Sequence, residues 1–151
     1  VDVLIGSEGT LAIIVGVELQ LAPLPGGTAG LLAGFPDLEG AAAAAVKLAE
    51  RGASAVELLD RTFLEIAASA GDPLPIALPG GLEAVLIVEV EGATEVDAVA
   101  RLRELAGWCE AGGATFVEEA RDPHEETRLW QLRHAASPIL NRLAPRVQSM
   151  Q

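Results

Sequence analysis

The chain has 151 residues, half of them apolar but only 3% aromatic, and its 22 acidic against 10 basic side chains give a net charge of -12. One compact core fits this length, and because alanine, valine, leucine and isoleucine must build it, close-packed helices are expected. The negative charge opposes binding to phosphate backbones or anionic lipid headgroups. A single cysteine, Cys109, excludes an internal disulfide and offers no metal-ligand spacing. No apolar run approaches the roughly 20 residues that span a bilayer, and no basic segment precedes the first of them. A protein of the reducing cytoplasm, without membrane span or nucleic-acid partner, is the expectation.

The chain opens on a turn of small residues, Gly6-Ser7-Glu8-Gly9-Thr10-Leu11, that feeds Ala12-Ile13-Ile14-Val15 and closes at Leu21-Ala22-Pro23-Leu24-Pro25. Glycine removes the steric cost of unusual dihedrals, so backbone amides in such a turn can approach a flat or anionic ligand. A P-loop would need Lys and then Ser or Thr after the last glycine, and Gly9 is followed by Thr10 and Leu11 instead. From the pattern alone a ligand-cradling turn competes with a plain glycine turn before an edge strand, which is the commoner case.

Beyond Gly26-Gly27, Leu31 to Phe35 reads as a strand stopped by Pro36. Asp37 then caps a helix over Leu38 to Arg51, with Gly52 placed for the left-handed cap. Ala53 to Leu59 reads as a second strand, and Asp60-Arg61-Thr62 starts a short helix through Phe63, Leu64, Ile66 and Ala67. From Gly71 to Gly81, with Pro73, Pro75 and Pro79, the chain reads as loop. Val85 to Glu91 carries the strongest strand signal, its apolar start suited to a central position. Thr94 caps a long helix with an apolar stripe of Val96, Val99, Leu102, Leu105 or Ala106, and Cys109, ended by Gly112-Gly113. Ala114 to Glu119 supplies a fourth strand, and Glu125 to Ala136 an amphipathic helix stopped by Pro138. Strand and helix alternating in this order predict a decorated α+β, ferredoxin-like fold, with helices covering one face of an antiparallel sheet.

The opening string GSEGTLAIIVGVELQLAPLP resembles the closing segment of the FAD-binding domain in the FAD-linked oxidase family, which includes D-lactate dehydrogenases, glycolate oxidase subunits and D-2-hydroxyglutarate dehydrogenases. The family pattern there is Gly-Ser-Glu-Gly-Thr-Leu-Gly-Ile-Ile, and this chain departs from it at Ala12. The resemblance implies that Gly6, Ser7, Glu8, Gly9, Thr10 and Ile14 lie along the flavin of FAD, chiefly through backbone contacts. It further implies a division into residues 1–25, the edge of the FAD domain and the source of one strand, and residues 26–151, a truncated C-terminal substrate or cap domain.

A second stretch, Arg128-Leu129-Trp130-Gln131-Leu132-Arg133 running on to Ser137-Pro138, is similar to the family's Leu-Trp-x-x-Arg helix. Helical spacing puts Trp130, Arg133 and Ser137 on one face, where a guanidinium fork beside a hydroxyl suits a carboxylate. The residues alone equally describe a helix with Trp130 in the core and with Arg128 and Arg133 paired to Glu125, Glu126 or solvent. The resemblance implies substrate contact for Arg133 and Ser137, with Trp130 supporting them.

His124 and His134 read as surface residues and Cys109 as a buried small hydrophobe. Asp60 closes a Glu-Leu-Leu-Asp string frequent in the family and serves as a helix cap. No catalytic or metal-binding residue is assigned, because the family's His-x-Gly-Asp-Gly-Asn-type segment is not found before Gln151. Oxidation of a small 2-hydroxy acid by an FAD-dependent parent is the function implied, with the rest of the FAD domain as partner and no turnover or flavin retention by this piece alone. The alternative is a ferredoxin-like module that binds a small molecule, or forms a homodimer through its sheet, without catalysis.

Overall fold

The computed structural model describes residues 2–69 and 76–134. Four strands, β1 (Gly27–Phe35), β2 (Ala55–Asp60), β3 (Ala84–Gly92) and β4 (Phe116–Glu119), alternate with four helices, α1 (Leu38–Glu50), α2 (Arg61–Ser69), α3 (Glu95–Ala111) and α4 (Pro123–His134). The sheet order is β2-β3-β1-β4 with every neighbouring pair antiparallel, which is the ferredoxin-like arrangement expected.

Local chemistry sets the helix starts. Asp37 accepts a hydrogen bond from the Gly40 N–H at 2.6 Å, Thr94 accepts one from the Asp97 N–H at 3.2 Å, and Asp60 accepts one from the Phe63 N–H at 2.8 Å. The apolar stripe of α3 differs from expectation at its first turn. Val96 is 78% exposed, and Ala98 is buried with Leu102, Leu105, Ala106 and Cys109. Here the helix backbone rests directly on the sheet: a Cβ on Gly92 would stand 2.5 Å from the Ala98 nitrogen. The contact therefore leaves room for alanine and turns the valine outward.

The two faces of the sheet bury different sets. Leu31, Ala33 and Phe35 of β1 join Leu86 and Val88 of β3 under α1 and α3, meeting Ala41, Ala44, Leu48, Leu102 and Cys109. That face is the one expected to carry helices. The other face is also covered: Leu32, Val85 and Ile87 pack with Leu129 and Leu132 of α4, with Ile76 and Leu82, and with Phe63 and Leu64 of α2. Burial on both sides explains why β1 and the start of β3 are continuous apolar runs with no alternation.

Residues 2–10 form turns, and residues 11–25 form no regular structure, so the strand expected over Ala12 to Val15 is absent. A strand exists only by pairing, and the segment has no ladder with the four strands of the sheet. The chain enters the fold at Gly26, whose N–H donates to the Gly92 carbonyl at 2.9 Å. Part of the expected Gly71 to Gly81 loop, and the end of the last helix with Ser137 and Pro138, lie outside the described residues.

Candidate functional site

At the N-terminal turn, Gly6 and Gly9 adopt φ of 77° and 78°, and Glu8 between them sits at 48°. A non-glycine residue in the left-handed region costs about 1 kcal/mol or more. The Thr10 hydroxyl donates to the Ser7 carbonyl at 2.6 Å, and the Thr10 N–H reaches the same oxygen at 2.9 Å. Leu4, Ser7, Gly9, Ala12, Ile13 and Ile14 line an open hollow of about 350 Å³ beside the turn. A Cβ at Gly6 or Gly9 would meet nothing within 4 Å, so the space over the turn is open. Of the six residues expected along the flavin, Ser7, Gly9 and Ile14 line this hollow, and Gly6, Glu8 and Thr10 belong to the turn itself.

Helix α4 begins two residues before the expected start. Asp122 accepts from the N–H groups of His124 and Glu125, both at 2.9 Å, and Pro123 occupies the first helical position. The Asp-Pro pair was the available signal for that boundary. Arg121 pairs with Glu125 and holds its carboxyl down to about 2, chiefly by the side-chain hydrogen bond. A Cβ on Gly30 of β1 would lie 3.2 Å from Leu129 Cδ1 and 3.4 Å from Glu126 Cγ, so the glycine lets α4 settle closely on the sheet. The Thr28 hydroxyl donates to Glu126 at 3.2 Å, while burial pushes the Glu126 carboxyl above its ordinary range.

Further along the helix, Trp130 Nε1 donates to Oε2 of Glu89 on β3 at 2.9 Å. Arg133 Nε lies 3.5 Å from Oε2 of Glu57 on β2, with both side chains 40% exposed. Trp130 is half-buried against the second core. Arg133 is paired neither to Glu125 nor to Glu126 but across to the sheet. Glu57 opens the Glu-Leu-Leu-Asp string that Asp60 closes. Its partner could not be read locally, since the pairing depends on how α4, packed on β1, carries Arg133 toward β2.

His124 and His134 are exposed, and no group of three or more His, Cys, Asp or Glu side chains gathers for a metal among the described residues. Cys109 is fully buried, and burial raises its thiol to about 11, which makes it inert at neutral pH. The hollow at the turn is lined by N-terminal residues, and Arg133, which pairs with Glu57 of β2, is not among them. No helix among the described residues is long and apolar enough to cross a membrane.

A ferredoxin-like antiparallel sheet with helices on both faces, preceded by a glycine turn, defines an α+β domain. Residues 25–150 match the family model for FAD linked oxidases, C-terminal domain, and the chain belongs to that family. It is also 31% identical over 144 residues to the glycolate oxidase subunit GlcD of Bacillus subtilis (strain 168). That match takes in 93% of this chain but only 30% of the relative's length.

Proposed function

We propose that this chain is the substrate-side part of an FAD-dependent oxidoreductase that oxidises a small 2-hydroxy acid. Residues 1–25 belong to the edge of the flavin domain and residues 26–151 to the C-terminal domain. Family membership over residues 25–150 carries this reading. The relative's name, a glycolate oxidase subunit, supports the substrate class, glycolate being the smallest 2-hydroxy acid.

In this reading Arg133 and Ser137 bind the substrate carboxylate, and Arg133 is suited to the task. Its guanidinium is held at one side by Glu57 yet stays 40% exposed, and arginine presents a planar fork that matches a carboxylate bidentately. Gly6, Ser7, Glu8, Gly9, Thr10 and Ile14 line the flavin, where the open turn admits a ring edge. Bound FAD supplies the two-electron acceptor for the oxidation. The chain's own residues bind and orient; the remainder of the flavin domain is the required partner, and this chain alone retains no flavin and turns nothing over.

A ferredoxin-like binding or dimerisation module without catalysis is the second reading, and the absence of Arg133 from the lining of the hollow at the turn favours it. A flavin spectrum and a panel of 2-hydroxy acids on the full-length parent, which includes the rest of the flavin domain, wild type against Arg133→Ala, separates the two. Losing a bidentate charged contact should raise KM by about 10- to 100-fold with FAD still bound. Absence of flavin, or kinetics indifferent to Arg133, would leave the binding module.

A further inference from the structure

The second face of the sheet presents two carboxylates, and α4 presents two donors that meet them. Ala55 of β2 is the register partner of Glu89 on β3, so Glu57, two residues along β2, points to the same face as Glu89. Trp130 and Arg133 are three residues apart and so neighbours on the helix surface. Their two contacts differ in kind. Trp130 is half-buried and bonded at 2.9 Å, beside the buried Leu129 and Leu132, so the helix itself is held there. Arg133 and Glu57 are both 40% exposed and 3.5 Å apart, a pair too solvated to contribute much stability.

We propose that Glu57 is the positioning residue for Arg133, aiming the guanidinium at the substrate carboxylate. The proposal rests on the carboxylate-binding role given to Arg133 above. Glu57 meets the guanidinium at Nε, and an end-on carboxylate uses the two terminal nitrogens, so both anions can share one cation. A free arginine side chain gives up much rotamer entropy on binding, and one already restrained gives up less. Because Glu57 is exposed, water screens its charge and leaves the cation attractive to an incoming anion. Helix placement and side-chain aim are thereby divided between Glu89 and Glu57.

The test compares Glu57→Ala, Glu57→Gln, Arg133→Ala and the double variant Glu57→Ala/Arg133→Ala in the flavin-loaded holoenzyme, isotope-labelled at arginine and tryptophan. Glu57→Ala should raise KM for the 2-hydroxy acid by about tenfold at unchanged kcat. Glu57→Gln, which keeps an acceptor without the charge, should fall between it and wild type. In the Arg133→Ala background, loss of Glu57 should change KM no further. By NMR the Arg133 Nε–H resonance should move toward that of a free arginine while the Trp130 indole resonance stays in place. An unchanged or lowered KM in Glu57→Ala, with KM raised in Arg133→Ala, overturns the proposal alone. A displaced Trp130 resonance in Glu57→Ala shows a loosened helix and also overturns it. An unchanged KM in Arg133→Ala overturns the carboxylate-binding reading itself, and the aim assigned to Glu57 with it.

Discussion

The N-terminal segment and α4 make opposite uses of their residues. Residues 11–24 are among the most apolar in the chain, yet Ile13, Val15 and Leu24 are 89%, 96% and 93% exposed and the segment forms no strand. Helix α4 is largely polar, yet it is docked by two buried leucines and tied to the sheet by the bond from Trp130 to Glu89. Apolar content drives burial only where a complementary surface is offered, and backbone extension becomes a strand only where a partner edge is offered. Exposed apolar area of this extent is the kind that interaction surfaces carry, and the proposal that residues 1–25 belong to the edge of the flavin domain would give it a partner.

This contrast can be broken most forcefully at Leu132, which is fully buried between α4 and the sheet. Leu132→Ala should cost about 2–5 kcal/mol in chemical denaturation; a loss below about 1 kcal/mol would mean that α4 is not part of the cooperative core. Glu89→Ala should cost about 1–3 kcal/mol, because the half-buried Trp130 Nε1 loses its acceptor. Its indole resonance should shift at the same time.

A smaller effect sharpens the same boundary through pH. Glu126, raised chiefly by burial, binds its proton more tightly folded than unfolded. Stability should therefore fall as pH rises from the ordinary carboxylate range through the folded value, and the full penalty persists above it. Glu126→Gln should flatten that slope and slightly raise the thermal midpoint at neutral pH, while the Thr28 contact survives through the amide oxygen. A slope that persists in the variant would assign the titration elsewhere. Least of all, Val15→Ala should stay within about 0.5 kcal/mol of wild type in this chain. A larger loss would show that the exposed segment is packed after all.

Much of the fold was legible because its signals are local. Asp37, Asp60 and Thr94 announced their helices by side chains that reach only three residues on, and the run Val85 to Val88 announced a central strand. What escaped depends on distant partners. The outward turn of Val96 follows from Gly92 contacting Ala98, the covering of the second face follows from where α4 crosses Gly30, and the missing strand over Ala12 to Val15 follows from the segment joining no ladder of the sheet. At the site, motif resemblance marked Arg133, but Glu57 and Glu89 became visible only with the strand register. Ser137 lies outside the described residues.

The most direct measurement is the reduction of bound flavin by glycolate and by its neutral amide, in wild type and in Arg133→Ala, read as half-saturating concentrations. Recognition of a carboxylate by Arg133 predicts that wild type prefers the acid over the amide by about 10- to 100-fold, and that the variant loses this preference. Equal preference in both proteins would contradict it and remove Arg133 from the substrate site.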